Sequence, residues 1–150
     1  MDKSKLEKKA KELREYHREI TSFYNDYAKS IGITIATLEV INIITCEKNC
    51  TQSNIVQKTY LPKQTVNAII KSLSNQNLIC LIQEKVNDKR NKIIKLTQQG
   101  LNFVKNAMKE INKVENYALS KLGNEKCDIL LSIMKEYLNN IKMMQIENRG

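Results

Sequence analysis

The sequence predicts a mainly α-helical winged helix-turn-helix: a two-stranded β-hairpin wing, with long N- and C-terminal helices for dimerisation. Three observations lead there. Apolar residues recur at steps of three and four over long stretches at both ends, which is helix periodicity. Between these ends lie two short helix patterns, followed by a change to two-residue alternation. From Lys48 to Gln83 no acidic residue occurs, and every charged residue in the span is a lysine.

The first helix is expected from about Ser4 to Ser30. Leu6, Ala10, Leu13, His17, Ile20, Tyr24 and Tyr27 form one narrow stripe, and charged residues fill the other faces. A seam this narrow on so long a helix suits packing against another long helix, from this or a second chain. Gly32 breaks it. Thr34 caps a second helix with Ile35, Leu38, Ile41, Ile43 and Ile44 inward. Thr51 caps a short helix reaching about Thr59. Pro62 suits the first turn of the next, Lys63 to Asn75, whose buried face is Val66, Ile69, Ile70 and Leu73. Asn77 stands where a left-handed residue ends it. From Leu78 alternation predicts a strand, then a polar turn at 87–91, then a return strand from Lys92 to Leu96. Thr97 caps a long helix ended by Gly123, and Asn124 caps the last one. Its stripe is Cys127, Leu130, Leu131, Met134, Leu138, Ile141 and Met144. One domain spans 1–150, with 34–100 as the winged helix-turn-helix and 1–31 and 101–147 as the helical dimerisation region.

Charge locates the working surface. The formal net charge is +9. Residues 51–100 hold eight Lys/Arg against two Asp/Glu, so most of the excess lies in the middle third. A carboxylate-free surface is suited to a polyanion, and double-stranded DNA fits the helix-turn-helix best. On the second short helix Lys63, Gln64, Thr65, Asn67 and Lys71 face away from the buried stripe. Gln and Asn can bond adenine, Thr can touch a thymine methyl, and Lys can reach guanine or phosphate. Thr51, Gln52 and Ser53 open the preceding helix and can offer N–H groups to phosphate. Lys89, Arg90 and Lys92 make the hairpin tip basic.

Other chemistries find less support. No histidine sits beside a nucleophile and no glycine-rich phosphate loop occurs, so an enzyme is not expected. No cofactor is implied. Four cysteines and one histidine give no metal set. No apolar run reaches the roughly 20 residues needed to span a bilayer, and the charged start lacks a signal peptide's apolar core. A cytoplasmic protein with reduced thiols is expected, with no membrane partner. Cys46 and Cys50 are spaced to form a disulfide, and Cys127 lies in a first helical turn, making the three redox candidates. A helical module that binds a protein partner is the other alternative.

The motif Asp88-Lys89-Arg90, followed by Leu96-Thr97 and Gly100, is similar to D-x-R-x(5)-L-T-x-x-G, the wing signature of the multiple antibiotic resistance regulator (MarR) family. Thr65, Leu73, Leu78 and Ile79 match the family's recognition-helix spacing, with Asn77 in place of the usual glycine. The resemblance runs from about Leu6 to Met144. It implies an obligate homodimer, formed by the first helix and the last two, that binds a short inverted repeat as a repressor. It implies release by a small ligand, often phenolic, near the junction of the first two helices and the fifth. Tyr16, His17, Tyr24 and Tyr27 are the candidate lining. The family's wing arginine enters the minor groove, a role falling to Arg90, with Asp88 bracing it. The peroxide-sensing branch carries its reactive cysteine in the first helix, where this chain has none.

Overall fold

The computed structural model describes residues 2–83 and 92–147; Asp88, Lys89 and Arg90 fall outside the described residues. The order is α1 (Lys3–Ser30), α2 (Ile35–Cys46), α3 (Gln52–Thr59), α4 (Lys63–Asn75), β1 (Ile79–Gln83), β2 (Lys92–Leu96), α5 (Gln98–Leu122) and α6 (Asn124–Glu147). The six helices and one hairpin match the predicted class and order.

Two compact units divide the chain at Met108. The first, Met1–Met108, holds a core of Val40, Ile41, Ile44, Cys50, Ile55, Val66, Ile70, Leu73, Leu78, Ile79, Ile94 and Val104. Caps set its helix starts. Thr34 accepts the Thr37 N–H at 3.1 Å. Thr51 and Asn54 form a reciprocal box: Thr51 Oγ1 takes the Asn54 N–H at 3.3 Å, and Asn54 Oδ1 takes the Thr51 N–H at 2.9 Å. Such a box satisfies two donors that a helix start otherwise leaves open. Pro62 occupies the N-cap of α4, one position before the first turn where the sequence had put it.

β1 and β2 pair antiparallel, with Ile79 opposite Leu96 and Gln83 opposite Lys92. The hairpin is sewn to the start of α3: Ile94 N–H donates to Cys50 O at 2.8 Å, and Thr51 bridges Ile93. Ile93 and Ile94 are consecutively buried for that reason, so strict alternation fails in β2. At the far end Thr97 Oγ1 donates to Asn77 O at 2.6 Å and accepts the Gly100 N–H at 2.9 Å. A Cβ at Gly100 would lie 1.9 Å from the Leu78 carbonyl oxygen, so only glycine lets α5 start this close to β1.

The second unit comprises the rest of α5 and α6. Gly123 at φ +78 ends α5, and its carbonyl accepts the Cys127 N–H at 3.1 Å. Gly123 thus fills the cap position expected of Asn124, which is the first residue of α6. Among the described residues of this unit Ile111 alone is buried, while Leu130, Leu131, Met134, Leu138 and Ile141 are exposed.

Candidate nucleic-acid interface

Helix α4 presents three faces. Val66, Ile70 and Leu73 are buried. Lys63, Gln64, Asn67 and Lys71 are exposed, on a face carrying only cations and amides. Among the described residues no ion pair engages Lys63 or Lys71. Thr65 stands apart from that set. It is half-buried and, with Ala68, Ile69 and Ser72, turns to a groove. Spacing alone divides the helix into two faces and merges these sides.

The other candidates gather around this helix. α3, with Gln52 half-buried and Ser53 exposed in its first turn, packs on α4. The capping box fixes that first turn, and the bridge to Ile93 holds the hairpin against it. Lys92 and Lys95 are exposed on β2. Lys95 is not among the residues the sequence singles out: it lies three positions from Lys92, and two-residue alternation puts the two on opposite faces of the strand, with Lys95 on the side of Ile93. Glu47, the acid bordering the carboxylate-free span, is engaged by the Lys58 ammonium, which shields the surface from its charge.

A groove of about 670 Å³ lies between the α1–α2 turn and α4, within the first unit. Ile33, Ile69, Leu73 and Phe103 make it largely apolar, and Lys29 is the one charged residue among the described residues that line it. Tyr16, His17, Tyr24 and Tyr27 do not line it. Tyr16 is exposed, and its hydroxyl donates to Glu12 Oε1 at 2.7 Å, a bond that holds the phenol above its ordinary pKa. His17 is exposed, and Tyr24 is half-buried. The Tyr27 hydroxyl donates to Ala107 O at 2.7 Å, tying α1 to α5. The lining residues missed from sequence come from four separate elements, and no one-dimensional pattern joins them.

The thiols differ in the same way. All four cysteines are free. Cys50 is fully buried, and burial, aided by Glu47, pushes its thiol up to about 11. Thiolate is the reactive form, so this environment opposes the Cys46–Cys50 pairing that the spacing suggested. Cys46 is exposed, with Asn42 Oδ1 at 3.7 Å, and the half-buried Cys127 thiol donates to Leu119 O at 3.4 Å. Among the described residues no group of three or more His, Cys, Asp or Glu could hold a metal ion, and no single helix is long and apolar enough to cross a membrane.

Helix-turn-helix, hairpin and flanking long helices define a winged helix-turn-helix protein. No protein-family model matches the chain. It is similar to the uncharacterized HTH-type transcriptional regulator YdgJ of Bacillus subtilis (strain 168), 22% identical over 114 residues, covering 76% of this chain and 69% of that protein. Among solved structures it is similar to NMB1585, a MarR family regulator from Neisseria meningitidis, with a TM-score of 0.79 and 21% identity. That match covers 93% of this chain and 98% of the other. The S. aureus MepR–DNA complex matches at TM-score 0.69 and 20% identity, over 94% and 98% of the two chains. S. aureus MarR, in complex with salicylate and kanamycin, matches at 0.76 and 15%, over 94% and 95%. The chain has the MarR-type winged helix-turn-helix fold, as the wing signature implied.

Proposed function

We propose that this chain is a DNA-binding transcriptional regulator of the MarR type: a homodimeric repressor that reads an inverted repeat with α4 and releases it when a small aromatic anion binds. The observation that carries the reading is the solvent face of α4, where Gln64, Asn67, Lys63 and Lys71 are exposed together on a helix that itself contains no carboxylate. Those groups are a major-groove reading set, amides for adenine and ammonium groups for guanine or phosphate. MepR, of the same fold, is in complex with DNA. The α3 start and Lys92 supply backbone contacts, and the wing signature assigns Arg90 to the minor groove.

Dimerisation is favoured by surfaces that the chain leaves open. In the second unit Leu131 is 66% exposed and Leu138 48%; in the first, Leu6, Leu13 and Ile20 are exposed along α1. Large contiguous apolar surface marks an association site. The ligand reading rests on the groove beside α4, with Lys29 to meet a carboxylate and Phe103 to meet a ring. An occupant would touch Thr65 and Ser72 on the reading helix itself. S. aureus MarR, which holds salicylate, supports that ligand class.

The test is selection of bound sequences from a random duplex pool, repeated with salicylate. An inverted repeat with half-site centres about 10 base pairs apart is expected, with retention reduced by salicylate. A pool that shows no enrichment contradicts the reading.

A further inference from the structure

The turn between α3 and α4 carries a residue whose type the protomer does not explain: Tyr60 is the C-cap of α3, a position where a left-handed backbone is common but is ordinarily taken by glycine or asparagine. Tyr60 adopts φ 56 and ψ 13, the left-handed region. That region is uncommon for any non-glycine residue and unfavourable for a bulky one. Asn49 and Asn77, the other non-glycine residues with positive φ among those described, belong to the type that tolerates it. Tyr60 is also 85% exposed, the most open of the large apolar side chains described. Its neighbours direct it outward. Leu61 packs on the core, its N–H bonds Thr59 Oγ1 at 3.3 Å, and Pro62 follows at the cap of α4. Among the described residues no side-chain partner of the phenol is recorded, and its ring shares no aromatic contact.

A strained backbone holding an unburied aromatic makes no sense as packing, and such outliers concentrate at binding sites. We infer that Tyr60 is a DNA contact, its phenol hydroxyl donating to a backbone phosphate oxygen beside the groove that α4 enters. The inference rests on the DNA reading above and deepens it. The turn joins the two helices of that surface, within the span that lacks carboxylates. A phenol offers a neutral O–H to phosphate and a flat ring to the adjoining sugar, which positions the protein without reading sequence. Tyr60 lies four residues before Gln64, in the turn that leads into α4, so it would fix the depth at which the amides reach the base edges.

Two full-length variants test this on a duplex selected by the wild-type chain, with affinity followed by fluorescence anisotropy across a salt series. Tyr60→Phe keeps the ring and the backbone demand and removes only the hydroxyl. It should leave Tm unchanged and weaken binding about tenfold, with an unaltered salt slope because no charge is lost. Tyr60→Gly removes the side chain and suits positive φ, so Tm should rise while affinity falls by at least as much. Gain of stability with loss of binding is an outcome that a purely structural turn residue cannot give. Wild-type affinity in Tyr60→Phe, or in a Tyr60→Gly chain of raised Tm, overturns the inference and leaves the DNA reading intact. Failure of the wild-type chain to bind any duplex overturns that reading itself.

Discussion

The two units of the chain use the same residue pattern to different ends. In Met1–Met108, apolar residues spaced by three and four close on one another, and Val40, Ile41, Ile55 and Val66 are fully or almost fully buried. In Lys109–Gly150 the same spacing runs along α6, yet Leu131, Met134, Leu138 and Ile141 remain open. Helical periodicity states which residues share a face; it does not state whether that face is covered by its own chain. The first unit carries its own core. The second has a face that a second copy is proposed to complete.

Substitutions can break this contrast at either end. The largest effect is expected for Ile41→Ala, which removes a fully buried branched side chain and should cost about 2–5 kcal/mol in urea unfolding. Leu131→Ala, measured where the chain is dilute enough to be monomeric, should stay within about 0.5 kcal/mol. Equal losses at the two sites would erase the distinction. Next in size, Leu131→Asp combined with Leu138→Asp should give a monomer by sedimentation velocity and weaken binding to an inverted repeat about a hundredfold, since the second half-site no longer adds avidity. A double variant that remains dimeric would place the interface elsewhere.

A pH series sharpens the account of the buried unit. Cys50 is held protonated in the fold up to about 11, against an ordinary value of 9.0. Below pH 9 the thiol is neutral in both folded and unfolded chains, and the full stability is present. Above it the unfolded chain ionises first, so stability should fall by about 2–3 kcal/mol as pH rises from 9 to 11. Cys50→Ala should lack that part of the slope. Alkylation at neutral pH should likewise reach Cys46 and Cys80, both exposed, well before Cys50. The smallest effects are expected on the α4 surface. Gln64→Ala and Asn67→Ala should leave unfolding unchanged and cost about 1–3 kcal/mol of binding, each relaxing preference at one base position per half-site.

Much of the architecture was legible because local chemistry and long-range packing agree. Thr34 and Thr51 cap where their side chains predict, α4 spans Lys63–Asn75 as read, and Asn77 is left-handed at φ 55. The glycine of the wing signature has a visible cause in the approach of Gly100 to Leu78. What escaped the sequence depends on contacts between distant segments. Val40 is fully buried although the stripe passed over it, because α2 is enclosed on more than one side. Thr65 turns to a groove that also needs Lys29, Ile33 and Phe103. Tyr60 gave no signal at all, since tyrosine has no preference for the conformation it adopts. Thr65 apart, the exposed face of α4 is legible directly: Lys63, Gln64, Asn67 and Lys71 are exposed as their spacing predicts.

Placement of that face on a duplex can be measured at single-nucleotide resolution. Asn75→Cys, at the exposed C-terminal end of α4 and outside the reading set, introduced after replacing the four native cysteines and labelled with an iron chelate, would cleave DNA wherever α4 lies. The account predicts two clusters of cuts within a selected inverted repeat, centred about 10 base pairs apart and facing one side of the helix. Cleavage scattered evenly along the duplex, or none above the level given by the same label on the α6 surface, would contradict it.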